Sequence, residues 1–341
     1  MSDKLKIALV APLYVSVPPY GYGGIERDVH YLAQELSSLG HNVTVFCSGD
    51  SKTAGTIHAI IPKAIGLNPP YFAPVRDHAR QMLDLLKEQD NFDIINFHCS
   101  HIQYLIEQSL RVPYVTTFHI HPLEDNFHQD YCAKHPYIAI SETQRSFAPE
   151  LNWVGTALNG MPNNLYSPRY EEGKYLAFLG SFVPDKGPHI AIEIAKESGL
   201  PLRIGAKIYP AHRDYFESKI EPELGKNGIE YLGELNDAKK QDLLAGAKAL
   251  LFPISWDEPF GLVMIEAMAC GTPVIGFNRG AVAEIVRDGQ SGFVVANKET
   301  ALHAVSQLNQ LDRRLVRKDF EKRFSSESMT ISYLDIYHGI I

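Results

Sequence analysis

Residues 249–275 constrain this chain more than any other stretch. Ala249-Leu250-Leu251-Phe252 is a run of strand formers, and Pro253 to Glu258 reads as a loop. Pro259 is expected to set the first turn of a short apolar helix, because its fixed φ suits that position. Gly271 is the natural residue just past the helix end, and Pro273-Val274-Ile275 opens another strand. A strand, a helix and a second strand in this order call for parallel pairing and a right-handed crossover.

The same stretch carries chemistry. Phe260, Gly261 and Leu262 offer backbone N–H groups at the expected helix start. Such a helix start beside a glycine is an anion site, and phosphate is its natural occupant. Glu258 and Glu266 flank it. Carboxylates repel phosphate but accept hydrogen bonds from hydroxyls. Phosphate with two sets of hydroxyls describes a nucleotide-sugar. Read alone, Glu258 is equally well a solvated loop residue and Glu266 a surface residue of the helix; the rest of the chain has to decide.

That rest repeats the alternation. Lys6 to Ala11 reads as a strand, followed by a Gly/Pro/Tyr-rich loop to Gly24 and a helix from Ile25 to Leu39 whose apolar residues recur at helical period. Strands follow at 42–46, 92–98, 114–119, 137–141 and 153–157, with helices expected at 75–89, 100–109 and after the capping residue Ser141. Residues 48–74 read as irregular. A Pro/Asn/Gly-rich linker spans 160–173, and the alternation restarts at Lys174. It continues through strands at 174–180, 202–205 and 229–233, a mostly helical stretch at 209–224, and a helix capped by Asn236 or Asp237. The chain of 341 residues exceeds what one compact domain usually holds. The expected fold class is α/β, with two doubly wound Rossmann-like domains facing across a cleft, and ligands lie at the carboxyl ends of such strands.

Composition removes several classes. A net charge of −8 argues against a nucleic-acid binder, which needs a basic face. Cys47, Cys99, Cys132 and Cys270 are scattered without a C-x-x-C pair, so no zinc or redox motif is expected and the thiols read as buried. His98 pairs with His101 and His119 with His121, but neither spacing completes a metal set. Gly21-Tyr22-Gly23-Gly24 is not a dinucleotide fingerprint, yet its glycines allow close approach of a ligand. No leader and no membrane-length apolar run is evident, which gives a cytoplasmic expectation. The helix at 75–89 carries Arg76, Arg80 and Lys87 but also Asp77, Asp84 and Glu88, a mixed face that does not indicate membrane binding.

The block Glu258-Pro259-Phe260-Gly261-Leu262 through Glu266-Ala267-Met268-Ala269-Cys270-Gly271-Thr272-Pro273-Val274 resembles the signature of the retaining glycosyltransferases of family 4, also called glycosyl transferases group 1, which have the GT-B fold. Supporting segments follow in order: Gly23-Gly24-Ile25-Glu26-Arg27, Thr117-Phe118-His119, Ile140-Ser141-Glu142, Asn159-Gly160-Met161, Leu179-Gly180 with Lys186-Gly187, and Gly280 to Phe293. The resemblance implies an acceptor-side domain of residues 1–160 plus 325–341 and a nucleotide-sugar domain of residues 161–324.

It also implies roles. Lys186 would bind the donor diphosphate, together with the N–H groups of Phe260, Gly261 and Leu262 after Pro259. Glu258 would hold donor-sugar hydroxyls and Glu266 the ribose. Tyr231 would border the base, His119 would sit over the sugar, and Gly23 and Gly24 would close on the phosphate or acceptor side. The catalytic set is then His119, Lys186 and Glu258. Ser181 is the one departure: relatives carry arginine there, and Lys207 and Arg279 are the candidates to replace it. The expected reaction moves a sugar from a UDP- or GDP-sugar to a hydroxyl of a small molecule, glycan or lipid. It does so by same-face displacement, with no metal and no cofactor beyond the nucleotide-sugar co-substrate. Alternatives are a non-catalytic sugar-nucleotide-binding protein and a related enzyme of epimerase or phosphorylase type.

Overall fold

The computed structural model describes residues 4–21, 23–66, 73–99, 102–122 and 133–341. The chain divides into two compact units, Met1–Pro162 with Ser326–Ile341, and Asn163–Ser325.

The first unit is built on a seven-stranded parallel sheet. Its strands are β1 (Lys6–Val10), β2 (Asn42–Ser48), β3 (Thr56–Ile61), β4 (Ile94–Phe97), β5 (Tyr114–Phe118), β6 (Tyr137–Ala139) and β7 (Trp153–Thr156). The order is β3-β2-β1-β4-β5-β6-β7. Strand order therefore reverses between β1 and β4, where Val10 pairs with Phe97. The inner strands are mostly buried because helices cover the sheet: α1 (Gly24–Ser38), α2 (Ala73–Glu88), the short α3 (Glu142–Phe147) and a last helix, Ser326–Ile340. That last helix buries Met329, Tyr333 and Tyr337, and the Tyr337 hydroxyl accepts from Asn96 Nδ2 at 2.8 Å.

The second unit holds a six-stranded parallel sheet ordered β10-β9-β8-β11-β12-β13. These are β8 (Tyr175–Ser181), β9 (Leu202–Lys207), β10 (Ile229–Tyr231), β11 (Ala247–Phe252), β12 (Val274–Phe277) and β13 (Gly292–Val295). The reversal here lies between β8 and β11. Its helices are α4 (Pro188–Ser198), α5 (Asp237–Ala245), α6 (Leu262–Ala269), α7 (Val282–Ile285), α8 (Lys298–Gln307) and α9 (Arg313–Arg323), which makes the last helix of the chain α10. Two buried arginines of α9 tie the entry segment to this unit. Arg317 donates to the carbonyls of Asn163 and Tyr166 at 2.6 and 3.1 Å, and Arg313 to those of Arg169 and Ala247 at 2.7 and 2.8 Å.

Several sequence expectations need correction. Residues 48–74 are not wholly irregular, since β3 lies among them as the edge strand. The expected helix at 100–109 is two 3₁₀ turns, Ile102–Leu105 and Glu107–Ser109, closed by bonds such as Ile106 N–H to Gln103 at 3.0 Å; Ser100 and His101 lie outside the described residues. The stretch 209–224 is broken into 3₁₀, α and π turns. Pro222 lacks the N–H that an α-helix needs there. Cys47, Cys99 and Cys270 are buried thiols, and Cys132 lies outside the described residues. Among the described residues no helix is long and apolar enough to cross a membrane.

Candidate active site

In the second unit two of the expected donor residues, Lys186 and Glu258, meet on the loops that follow β8 and β11. After β8 the chain makes a 3₁₀ turn, Pro184–Lys186, and enters α4 through Gly187. Gly187 has φ 68°, and a Cβ there would lie 2.0 Å from the Pro253 carbonyl oxygen. Only glycine lets the Lys186 turn rest on the loop after β11. The Ser255 N–H donates to the Asp185 carbonyl at 2.9 Å and ties the two loops together.

Lys186 and Glu258 consequently meet. The Lys186 ammonium is ion-paired with Glu258 Oε2. Trp256 touches both: its indole N–H donates to the same oxygen at 3.1 Å, and its ring centre lies 4.7 Å from the Lys186 nitrogen. Trp256 is not among the residues expected at the site, although an aromatic stands two residues before the glutamate. Gly280 holds this loop from behind. It has φ 52°, and a Cβ there would fall 2.2 Å from the Glu258 carbonyl oxygen. The Ala281 N–H bonds that same oxygen at 2.9 Å, and the Gly280 N–H bonds Asp257 Oδ1 at 3.2 Å.

The helix start differs from expectation. α6 begins at Leu262, not at Pro259, because Gly261 adopts a left-handed φ of 88° that no helix accommodates. Pro259 and Phe260 belong to the loop, where Phe260 is buried and packs edge-on against Phe324 at 6.1 Å. Met264 N–H already bonds the Gly261 carbonyl at 3.0 Å. The first-turn donors without an intrahelical acceptor are therefore Leu262 and Val263. Of the three N–H groups expected from the sequence, only that of Leu262 belongs to the helix.

Glu266 is no surface residue: its side chain is 7% exposed. Lys240 Nζ donates to its Oε1 at 2.7 Å, and the Tyr166 hydroxyl lies 3.4 Å from that oxygen. Its Oε2 is buried without a hydrogen-bond partner. Tyr231, expected beside the base, ends β10 with its hydroxyl donating to the Ala206 carbonyl at 2.9 Å and its ring 5.1 Å from Phe182. Ser181 ends β8, and Lys207 is its register partner on β9.

In the first unit, the loop after β1, His98 after β4 and His119 after β5 all stand at the carboxyl edge of the sheet. Gly23 precedes α1 with φ 155°, and a Cβ there would lie 2.9 Å from Pro19 and from Glu26 Oε2. Gly24 is the first residue of α1, and Tyr22 lies outside the described residues. His119 is committed inside its own unit. Its Nε2 is 3.0 Å from His98 Nδ1, with the two rings stacked at 5.3 Å, and its Nδ1 is 3.8 Å from Asp28 Oδ2. The histidine pair seen among the described residues is His98 with His119, and His101 lies outside the described residues. Burial pushes His119 down to about 3 and lowers His98 well below the usual histidine range. Burial lifts Glu26 to about 7 and Asp28 well above the usual carboxylate range. Burial favours the uncharged form of all four groups. Asp28 and His98 were missed as partners of His119 because both are far from it in sequence and only the sheet brings them to it.

Comparison with known proteins places these features in a setting. Residues 22–154 match the family model for Glycosyltransferase Family 4 and residues 166–323 that for Glycosyl transferases group 1. An uncharacterized glycosyltransferase of Methanocaldococcus jannaschii is 28% identical over 94% of this chain and 96% of its own. A phosphatidyl-myo-inositol mannosyltransferase of Mycolicibacterium smegmatis is 25% identical over 85% of this chain and 81% of its own. Among solved structures, Anabaena HepE in complex with UDP and glucose superposes with a TM-score of 0.73 at 17% identity, covering 98% of this chain and all of that one.

Proposed function

The chain belongs to the family 4 glycosyltransferases of the GT-B fold, and from that premise we propose that it transfers the sugar of a UDP- or GDP-sugar to a hydroxyl with retention of anomeric configuration. The enzyme is a glycosyltransferase with a nucleotide-sugar donor; the donor base, the stereochemistry and the residue roles are the proposal.

The observation that carries it is the Lys186–Glu258 pair beside the first turn of α6. A diphosphate outweighs a single carboxylate as partner for an ammonium, so an arriving donor takes Lys186 and leaves Glu258 free for sugar hydroxyls. The Leu262 and Val263 N–H groups and the helix dipole add to the anion site. Lys207, beside Ser181 in the sheet, supplies the second cation that Ser181 lacks. Glu266 receives the ribose through its unpartnered oxygen. His119 stays bonded to His98 within the first unit and takes no part in this reading.

In the reaction the anomeric C–O bond breaks and its electron pair goes to the leaving diphosphate. The acceptor oxygen bonds the anomeric carbon from the same face, and its proton passes to the departing phosphate oxygen. Lys186 and the α6 N-terminus stabilise the charge that develops on that oxygen. No metal is invoked. The named substrate of the mycobacterial relative supports a hydroxyl acceptor on a glycan or a lipid headgroup.

A donor panel tests this reading. UDP-, GDP- and ADP-sugars are incubated without acceptor, with and without EDTA, using wild type and Glu258→Ala. Wild type should slowly hydrolyse a UDP- or GDP-sugar with or without chelator. The variant should lose about 10- to 100-fold, the worth of a hydrogen bond to a charged group. Hydrolysis of none of them, or equal hydrolysis by the variant, would sink the assignment.

A further inference from the structure

Glu266 is held in an unusual way. It is buried on α6, and all its observed polar contacts fall on one oxygen. Lys240, from the first turn of α5, donates to Oε1 at 2.7 Å with its own side chain only 18% exposed. The Tyr166 hydroxyl stands 3.4 Å from Oε1 and 3.5 Å from Asp237 Oδ1. Oε2 has no partner and no solvent contact. A buried acceptor left unmade costs about 1–3 kcal/mol, so an arrangement that leaves Oε2 unpaired while holding Oε1 favours a ligand that brings a donor.

We propose that Lys240 is the positioning residue for donor recognition: it fixes the Glu266 carboxylate so that Oε2 faces the ribose diol, and so makes binding depend on the ribose hydroxyls. The proposal rests on the reading of Glu266 as the ribose ligand and adds the residue that makes it one. Without Lys240, Oε1 loses the bond that holds it and the carboxylate is free to turn, so neither oxygen is kept for the diol. Asn236 secures the geometry: its side chain caps α5 by accepting from the Lys239 N–H at 3.0 Å, one residue before Lys240. Three separate pieces of chain, the entry segment with Tyr166, α5 and α6, therefore meet at one carboxylate, all within the second unit.

The test is calorimetric binding to the full-length enzyme of UDP, GDP and ADP, and of the 2′,3′-dideoxy form of the tightest, with Lys240→Met, Lys240→Gln and Lys240→Arg alongside wild type. Wild type should prefer the ribo form by about 10- to 100-fold, the range for hydrogen bonds to a charged group. Lys240→Met should bring that ratio close to unity at little cost in dideoxy affinity. Lys240→Gln, which is one atom shorter and lacks the charge but keeps a donor, should do the same if Met does not fold. Lys240→Arg should retain the preference. Lys186→Ala should weaken both forms alike and leave the ratio intact. A wild-type ratio preserved in the folded Met and Gln variants overturns the role of Lys240. A wild type that binds both forms equally overturns the ribose reading of Glu266, and binding of no nucleotide overturns the donor site itself.

Discussion

Lys186 and Glu258 neutralise each other in the free protein, with Trp256 bridging them. In the proposed reaction a diphosphate would take the first of these charges and sugar hydroxyls the second. The acidic pocket of the first unit works by the opposite means, since burial there favours uncharged forms. Glu26, lifted from 4.5 to about 7, holds its proton more tightly folded than unfolded. Its contribution to stability is complete below pH 4.5 and is lost as pH rises from 4.5 to about 7. His119, lowered from 6.5 to about 3, runs the other way: its contribution is complete above pH 6.5 and is lost as pH falls toward 3. Glu26→Gln removes only the first dependence. By denaturant titration the variant should gain on wild type by about 1–3 kcal/mol between pH 4.5 and pH 8. A difference that stays constant across that range would contradict the burial argument. In the sequence, Glu26 was visible only as part of a glycine-loop motif. Its company with Asp28, His98 and His119 depends on strand order, which single-residue patterns do not carry.

Among the elements, the loop between β11 and α6 depends on glycines that are far away in sequence. Gly280→Ala places a methyl against the Glu258 backbone and forces a left-handed φ on a residue with a Cβ, which alone costs about 1–2 kcal/mol. The variant should keep its circular dichroism spectrum yet raise the donor KM and lower the hydrolysis rate, because the displaced element is the Glu258 loop. Unchanged kinetics in a folded Gly280→Ala protein would show that this backing is not needed. The long apolar-periodic helices α1 and α2 and the inner strands were legible from periodicity and capping residues, Ser141 and Asn236 among them. What escaped was local competition. The Pro259 helix start yielded to the left-handed Gly261, the helix after Tyr209 broke before Pro222, and β3 hid within a Gly- and Pro-rich stretch. In each case a tertiary contact or a single backbone angle outweighed the pattern.

The whole molecule repeats one plan, a parallel sheet whose strand order reverses at its centre, once in each unit. That plan was readable because fully covered parallel strands must be continuously apolar, while the turns at their carboxyl ends keep glycines and polar groups. The sites at those ends were readable as residue types, but not as partners. Glu266 was expected as a hydroxyl ligand without Lys240, and His119 as a residue over the sugar without its bond to His98. The central claim concerns how the anomeric bond is exchanged, and one measurement reaches it directly. The hydrolysed donor, an α-linked nucleotide-sugar, is followed by proton NMR from the first minutes, before the released sugar mutarotates. With water standing in for the acceptor, the account predicts that the α anomer appears first; the β anomer appearing first would contradict it.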